Sequence, residues 1–369
     1  MIAYLTWAGL LALLALLTLW LYRRPPRVEV ARELPESVFV GGGVTVRLRI
    51  RVRAALPTRL LLEDPPPLTL VPDRAVEFGG LLWREAEHEL SARLTANRRG
   101  VYEWEGVRLR WADPFGLKWR SVTLPARSKL EVYPGAHGLM LPKLLRPLLS
   151  EGALSRALGL EDPLSLRGAR PYVPGDPTSR VAWKLSARAG ELMVREVERT
   201  ASSSLHIHLD LEGDGEYVES AVRLAASLLT EAAELNLPVS VSTREGATPL
   251  GTTPEALRFA LRVLAQARRD AGAPFIPTPK PGSNLIVITQ QAGDALVDAA
   301  LMARAGASRV CIVALPEGFY LEPGEKGRRL HAAPPDQVRE LSRRAGILAE
   351  SGVLVFVLRG NQSILRLGG

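Results

Sequence analysis

From residue 204 to residue 358 short β-branched runs and amphipathic helical runs take turns, and no other feature restricts the fold of this chain as much. "SLHIHLDL" (204–211) reads as a strand, "EYVESAVRLAASLLTEAAELN" (216–236) as a helix and "LPVSVST" (237–243) as a strand. Helix "TPEALRFALRVLAQARR", strand "NLIVITQ", helix "DALVDAALMARAG", strand "RVCIVAL", helix "PPDQVRELSRRAGIL" and strand "GVLVFVL" follow. Such alternation demands right-handed crossovers and a parallel sheet covered on both faces, so the expected fold over 201–369 is a doubly wound α/β domain. "LEGDGEYVES" after the first strand lacks the glycine spacing of a dinucleotide loop, and no P-loop occurs. No nucleotide or nicotinamide cofactor is expected.

The amino-terminal end obeys a different rule. "MIAYLTWAGLLALLALLTLWLY" (1–22) carries no charged side chain, and roughly 20 apolar residues suffice to cross a bilayer as a helix. A cleaved signal would have a basic start and a shorter apolar run, so this segment is expected to be a single membrane span. Tyr4, Trp7, Trp20 and Tyr22 lie towards its ends, where amphipathic rings settle among headgroups. Arg23, Arg24 and Arg27 form a basic flank over 23–27, which predicts that the remainder stays on the cytoplasmic side of the inner membrane. Cys311 is the sole cysteine, so no disulfide framework exists, in keeping with a reducing compartment.

Between these ends, 28–135 reads as an all-β, sandwich-like domain. In "VTVRLRIRVRA" (44–54) Val44, Val46, Leu48, Ile50 and Val52 share one face, and Thr45, Arg47, Arg49, Arg51 and Arg53 the other. "RLLLE", "LLWREAEHELSARLTA", "VYEWEGVRLRW" and "KLEVY" are further strands separated by turn residues. Residues 136–200 form a connector. Its first part, 137–160, has helical periodicity broken by Pro142 and Pro147, suited to packing on a neighbouring domain more than to a membrane surface, because its polar face is not strongly basic.

The chain carries 47 Lys and Arg against 39 Asp and Glu, a net charge of +8. This excess is spread along the chain without a clustered basic face, and no nucleic-acid partner is expected. In open α/β sheets ligands gather beyond the carboxyl ends of the strands, where this sequence supplies Asp210, Glu212 and Asp214. Oxygen clusters of that kind suit Mg²⁺ or Ca²⁺. The arrangement partly resembles a von Willebrand factor A domain, whose metal loop reads Asp-x-Ser-x-Ser. Asp210 matches, Glu212 and Asp214 replace the serines, Thr253 is the candidate third-loop threonine, and Gln290 stands where a last Asp belongs. The resemblance implies a degenerate site: no bound metal is expected, and Mg²⁺ is the candidate ion. A metal-dependent hydrolase built on those carboxylates is the alternative function. His206 and His208 alternate on one strand in "HIHLD" and, lacking further ligands, are expected to be structural imidazoles. Cys311 lies mid-strand in an apolar run, and no Gly-x-Ser-x-Gly elbow is present, so nucleophilic catalysis is not expected.

One stretch fits none of these elements: "RGARPYVPGDPTSRVAWKLSARAGELMVREVE" (167–198). Pro174, Gly175, Asp176 and Pro177 compose a tight turn, and 181–185 is expected to be extended. Arginine forks bind carboxylates two bonds at a time, and Arg, Trp and Tyr are the residues in which binding energy concentrates. Two uses are open: the segment clamps the α/β domain, or it presents a protein-binding surface. The stretch resembles the signature of the bacterial domain of unknown function 58 family, through Arg167, Arg170, Tyr172, Pro174, Gly175, Asp176, Arg180, Trp183, Lys184, Arg188, Arg195 and Glu196. Upstream, Arg98, Arg99, Gly100 and Tyr102, and then Asp113, Pro114, Phe115, Gly116 and Leu117, are similar to two further elements of that family. Pro177 and Ala182 depart from its pattern. The resemblance implies a membrane-anchored protein with a β-rich region and a von Willebrand A-like domain, often encoded near MoxR-type AAA+ ATPases. The expected function is therefore a non-enzymatic, membrane-tethered adaptor whose partner is a protein, such an ATPase in particular.

Overall fold

The computed structural model describes residues 2–67, 69–136, 166–173, 181–197, 204–234, 237–272, 275–279, 283–291, 293–307, 309–322 and 336–362. The amphipathic stretch over 137–160 lies outside them. The chain divides into two compact units, Met1–Gly135 and Ala136–Gly369.

The first unit begins with α1 (Ile2–Leu21), which is long and apolar enough to cross a membrane and exposes its side chains all round. The strands that follow are β1 (Arg27–Glu33), β2 (Ser37–Phe39), β3 (Gly43–Glu63), β4 (Leu70–Pro72), β5 (Glu77–Ala96), β6 (Gly100–Ala112) and β7 (Arg120–Tyr133). They form one connected seven-stranded sheet, in the order β2-β7-β6-β3-β5-β4 with β1 on β3.

The sequence suggested separate strands at 44–54 and 59–63; both belong to β3. Leu56 and Pro57 explain the difference. Pro57 has no N–H for the ladder, and the pairing with β5 slips between Ala54 and Thr58. Opposite this break Arg84 sits at φ +67°, a left-handed conformation uncommon for a residue with a Cβ. Before the break β3 pairs with β1, and after it with β6, so the irregularity is where one strand passes between two layers. Even-numbered residues of β3 face inward before and after the break, while Leu56 at the break is exposed. Leu48, Ile50, Leu60 and Leu62 meet Val107, Leu109 and Trp111 in one cluster, while Val44 and Val46 meet Trp104, Leu130 and Val132 in another. The layers are thus two halves of a single folded-over sheet.

Arg32 is an inward exception on β1. Its Nη2 lies 2.6 Å from Asp64 Oδ1 with both side chains essentially inaccessible, and its Nη1 donates to Ala126 O and Ser128 Oγ on β7. The guanidinium also stands 5.5 Å from the Trp104 ring.

In the second unit, β8 (Leu166–Pro171) and β9 (Met193–Val197) make an antiparallel ribbon, with α2 (Trp183–Ala189) between them in the chain. A second sheet comprises β10 (Leu205–Leu209), β11 (Val239–Thr243), β12 (Gly246–Ala247), β13 (Asn284–Thr289), β14 (Arg309–Ala314) and β15 (Val353–Val357). Its order is β12-β11-β10-β13-β14-β15, parallel except for β12, a short edge strand the sequence did not announce. The helices are α3 (Gly215–Glu234), α4 (Pro254–Gln266), α5 (Asp294–Arg304) and α6 (Asp336–Glu350).

Leu285, Val287, Val310 and Ile312 pack with Leu296, Val297 and Ala300 of α5 and Val338, Leu341 and Leu348 of α6. Their neighbours of opposite parity, Ile286, Ile288, Cys311 and Val313, are buried too, while α3 and α4 pack against β10 and β11. Burial of both parities is why these strands read as continuous apolar runs. Cys311 is buried, and its thiol is pushed up by that burial.

Candidate functional site

Two places gather the residues that the sequence singled out. The first is the carboxyl end of β10. Asp210 follows the strand and is 6% exposed. Thr289 Oγ1, at the end of neighbouring β13, lies 2.8 Å from Asp210 Oδ2 and 2.6 Å from Gln291 O, and accepts from the Gln291 N–H at 3.1 Å. The hydroxyl has one proton to give, which Thr289 shares between Asp210 Oδ2 and Gln291 O. Burial raises the Asp210 pKa, outweighing the hydrogen bonds donated by Thr289 and the Glu212 backbone, which lower it.

Tyr217, fully buried in the first turn of α3, donates to Asp210 O and stands 3.1 Å from Ile288 O, tying β10 to β13. Asp214 is spent locally. Its Oδ1 accepts from the Tyr217 N–H at 2.7 Å as the helix cap, and its own N–H donates to Gln290 Oε1 at 3.2 Å. Gly213 is required here, because a Cβ would lie 2.2 Å from Gln290 Oε1 and 2.4 Å from Tyr217 Cδ1. The Glu212 main chain forms a parallel β-bridge with Asp270, whose carboxylate pairs with Arg244 at 2.6 Å. Thr253 is exposed and caps α4, accepting from the Ala256 N–H at 3.2 Å. Among the described residues, no group of three or more His, Cys, Asp or Glu side chains is placed to hold a metal ion. Of the three carboxylates that share a sequence neighbourhood, Asp210 meets Thr289 and Asp214 caps α3.

His206 and His208 share a face of β10, as alternation requires. His206 Nδ1 lies 2.6 Å from Ser240 Oγ and its Nε2 2.8 Å from Ser242 Oγ, while His208 Nδ1 lies 2.9 Å from Ser242 Oγ. The parallel register of β10 with β11 sets His206 beside Ser240 and His208 beside Ser242. Burial, and then the neighbouring His206, lower the His208 pKa to about 4. The sequence marked the imidazoles but not their serine partners, which lie on another strand.

The second place is the ribbon. Arg167 and Arg170 lie on β8, Tyr172 directly after it, Trp183, Lys184 and Arg188 on α2, and Arg195 and Glu196 on β9; Pro174, Gly175, Asp176 and Arg180 are outside the described residues. The register sets Arg195 opposite Ala169 and Glu196 opposite Gly168. Residues 183–185, expected to be extended, open a helix instead. Ser186, the buried residue of α2, explains this: it accepts from the Met193 N–H at 2.8 Å, and its backbone N–H donates to Ala182 O. Gly190 closes the helix at φ +74°. Val181 and Val194 bridge beneath, while Trp183 is 67% and Leu185 50% exposed.

Residues 168–315 match the family described as "Protein of unknown function DUF58". Over 333 residues the chain is 25% identical to the uncharacterized protein YeaD of Bacillus subtilis (strain 168), covering 85% of this chain and 80% of that protein. Among solved structures, the CARDB domain of the PF1109 protein from Pyrococcus furiosus, crystallised with di-metal ions, is 14% identical over 29% of this chain and 93% of its own, at a TM-score of 0.19. A protein of unknown function from Porphyromonas gingivalis W83 is 17% identical over 32% of this chain and 52% of its own, at a TM-score of 0.23. Scores this low decide nothing about fold or activity.

Proposed function

We propose that this protein is a membrane-tethered adaptor, held in the inner membrane by α1 with both units on the cytoplasmic side, and that it binds a protein partner through the β8-α2-β9 ribbon. A MoxR-type AAA+ ATPase is the partner that the sequence signature suggests. The observation that carries the reading is the indole of Trp183, 67% exposed on a helix held by buried Ser186 and flanked by Lys184 and Arg188. A rigidly presented Trp among cations is the composition of a binding hot spot. The sheet order, with β11 on one side of β10, β13, β14 and β15 on the other, and an antiparallel edge strand, supports a doubly wound, von Willebrand A-like domain. Asp210, buried against Thr289, and Asp214, which caps α3, are each engaged within the fold, which supports an adaptor over the metal-dependent hydrolase.

Co-purification with the ATPase from crosslinked membranes tests the proposal. Trp183→Ala with Arg188→Glu should abolish recovery and leave the unfolding midpoint in place; unchanged recovery removes the reading. Stoichiometric Mg²⁺ binding by calorimetry, lost in Asp210→Asn, would move the site to metal chemistry.

A further inference from the structure

In the first unit, the end of α1 is hydrogen-bonded into the β sheet. Tyr22 Oη donates to Pro57 O at 2.8 Å, Trp111 Nε1 donates to Tyr22 O at 2.9 Å, and Arg120 Nη2 donates to Leu19 O at 3.0 Å. Trp111 and Arg120 face each other at the base of the β6-β7 hairpin, so the hairpin tip over 113–119 lies beside the last turn of the helix.

That tip is built to present apolar side chains. Asp113, 3% exposed, accepts from the Phe115 N–H at 2.9 Å and the Lys118 N–H at 3.3 Å. Gly116 stands at φ +76°, where a residue with a Cβ is strained. Arg59 Nε donates to Pro114 O at 2.8 Å and fixes the tip to β3. The result leaves Phe115 81% and Leu117 65% exposed. On the adjoining outer face of β5, Leu81 pairs with Arg59, and Leu81 and Trp83 are 58% and 59% exposed. Arg84 lies 4.9 Å from the Trp83 ring.

We infer that this face is a membrane-binding surface: Phe115, Leu117, Leu81 and Trp83 enter the headgroup layer of the same bilayer that holds α1, and Arg84 and Lys118 contact its anionic lipids. The inference rests on the proposed span. A helix that leaves the bilayer while bonded to this hairpin brings the exposed ring and leucine to the interface, where amphipathic and apolar groups insert roughly 5–10 Å. Cations at such a surface are attracted to acidic headgroups. The Asp-Pro-Phe-Gly-Leu motif then has a reason for each member: a buried organiser, a carbonyl anchor, two inserted side chains and the glycine that turns between them.

The full chain in nanodiscs tests this, with an environment-sensitive fluorophore on Leu117→Cys, Leu13→Cys or Glu103→Cys; buried Cys311 is shielded from labelling. Leu13 lies within α1, and Glu103 far along β6 from the tip. Nitroxide-bearing lipid should quench the labels at 13 and 117 and spare the label at 103. Quenching at 117 should grow when phosphatidylglycerol replaces phosphatidylcholine, and Arg84→Glu with Lys118→Glu should cancel that growth. Quenching at 13 without quenching at 117 overturns the inference and leaves the span. No quenching at 13 overturns both. A label at 117 shielded from aqueous iodide yet untouched by quencher lipid would show that a second protein copy covers the face, and also overturns it.

Discussion

The two units bury polar side chains by opposite means. In the β-rich unit the inward-facing charge on β1 is neutralised by another charge: Arg32 and Asp64 pair in the fold of the sheet, and the spare donors of Arg32 reach β7. In the α/β unit the buried polar groups at the end of β10 are held by neutral partners, Ser240 and Ser242 for the histidines and Thr289 for Asp210. A charge pair joining two layers specifies how a sheet bends. Neutral hydrogen bonds between adjacent parallel strands add little to register, but they leave groups that titrate.

Breaking the charge pair should have the largest effect. Removing one member of a buried pair costs roughly 3–5 kcal/mol because the other charge is stranded. Asp64→Ala should therefore lower the denaturation midpoint sharply, followed by the fluorescence of Trp104 and Trp111 in that unit's core. The apolar pair Arg32→Met with Asp64→Leu should restore most of the loss. A small change in the single variant would erase the distinction between the units.

The neutral cluster should respond to pH instead. His208 titrates in the folded chain near 4, below its ordinary 6.5, so its contribution is complete above about pH 6.5 and is lost as pH falls towards 4. At about 1.4 kcal/mol per pH unit the loss is on the order of 3 kcal/mol, and His208→Gln should abolish it. Asp210 has the opposite sign. Its raised pKa favours the folded state at low pH, and that advantage disappears as pH rises through the folded value. Asp210→Asn should remove this dependence and gain stability at neutral pH relative to acid, read from denaturation at several pH values.

Tyr217→Phe tests the bridge between β10 and β13. Loss of a buried hydroxyl that serves two carbonyls should cost about 1–3 kcal/mol. Hydrogen exchange at the amides around Asp210 should accelerate; protection equal to the native chain would mean that the hydroxyl is idle. The smallest effect belongs to the solvent face of β3. Arg51 lies 3.5 Å from Glu87 with both side chains about half exposed, so Arg51→Ala should cost less than about 0.5 kcal/mol by thermal unfolding. The contrast with Asp64 isolates burial from charge.

Much of the architecture was legible along the chain. Thr45 to Arg53 announced one wet face of β3, and the runs around Ile286 and Ile312 announced strands covered on both sides, because burial leaves a period in the sequence. Trp183 follows a turn and reads locally as extended, yet it opens α2. The decision there lies with Ser186, whose hydroxyl meets the Met193 backbone across the ribbon, and no local pattern reports that. Thr289 and Tyr217 were likewise silent, being ordinary residues until the sheet sets them against Asp210. Asp214 misled for the opposite reason: a carboxylate beside a strand end reads as a ligand, yet it sits where α3 needs a cap.

Periodicity alone determined that this chain opens with an apolar helix and continues through one-sided strands into alternating strands and helices, since each of these is set by neighbours a few residues apart. Tertiary structure decided that β3 runs through its proline from one layer to the other, that Arg32 finds Asp64, that Asp210 faces Thr289, and that Phe115 stands beside the end of α1. Those outcomes depend on pairings between segments tens of residues apart, whose register and hydrogen-bond partners exist only once the sheets have formed.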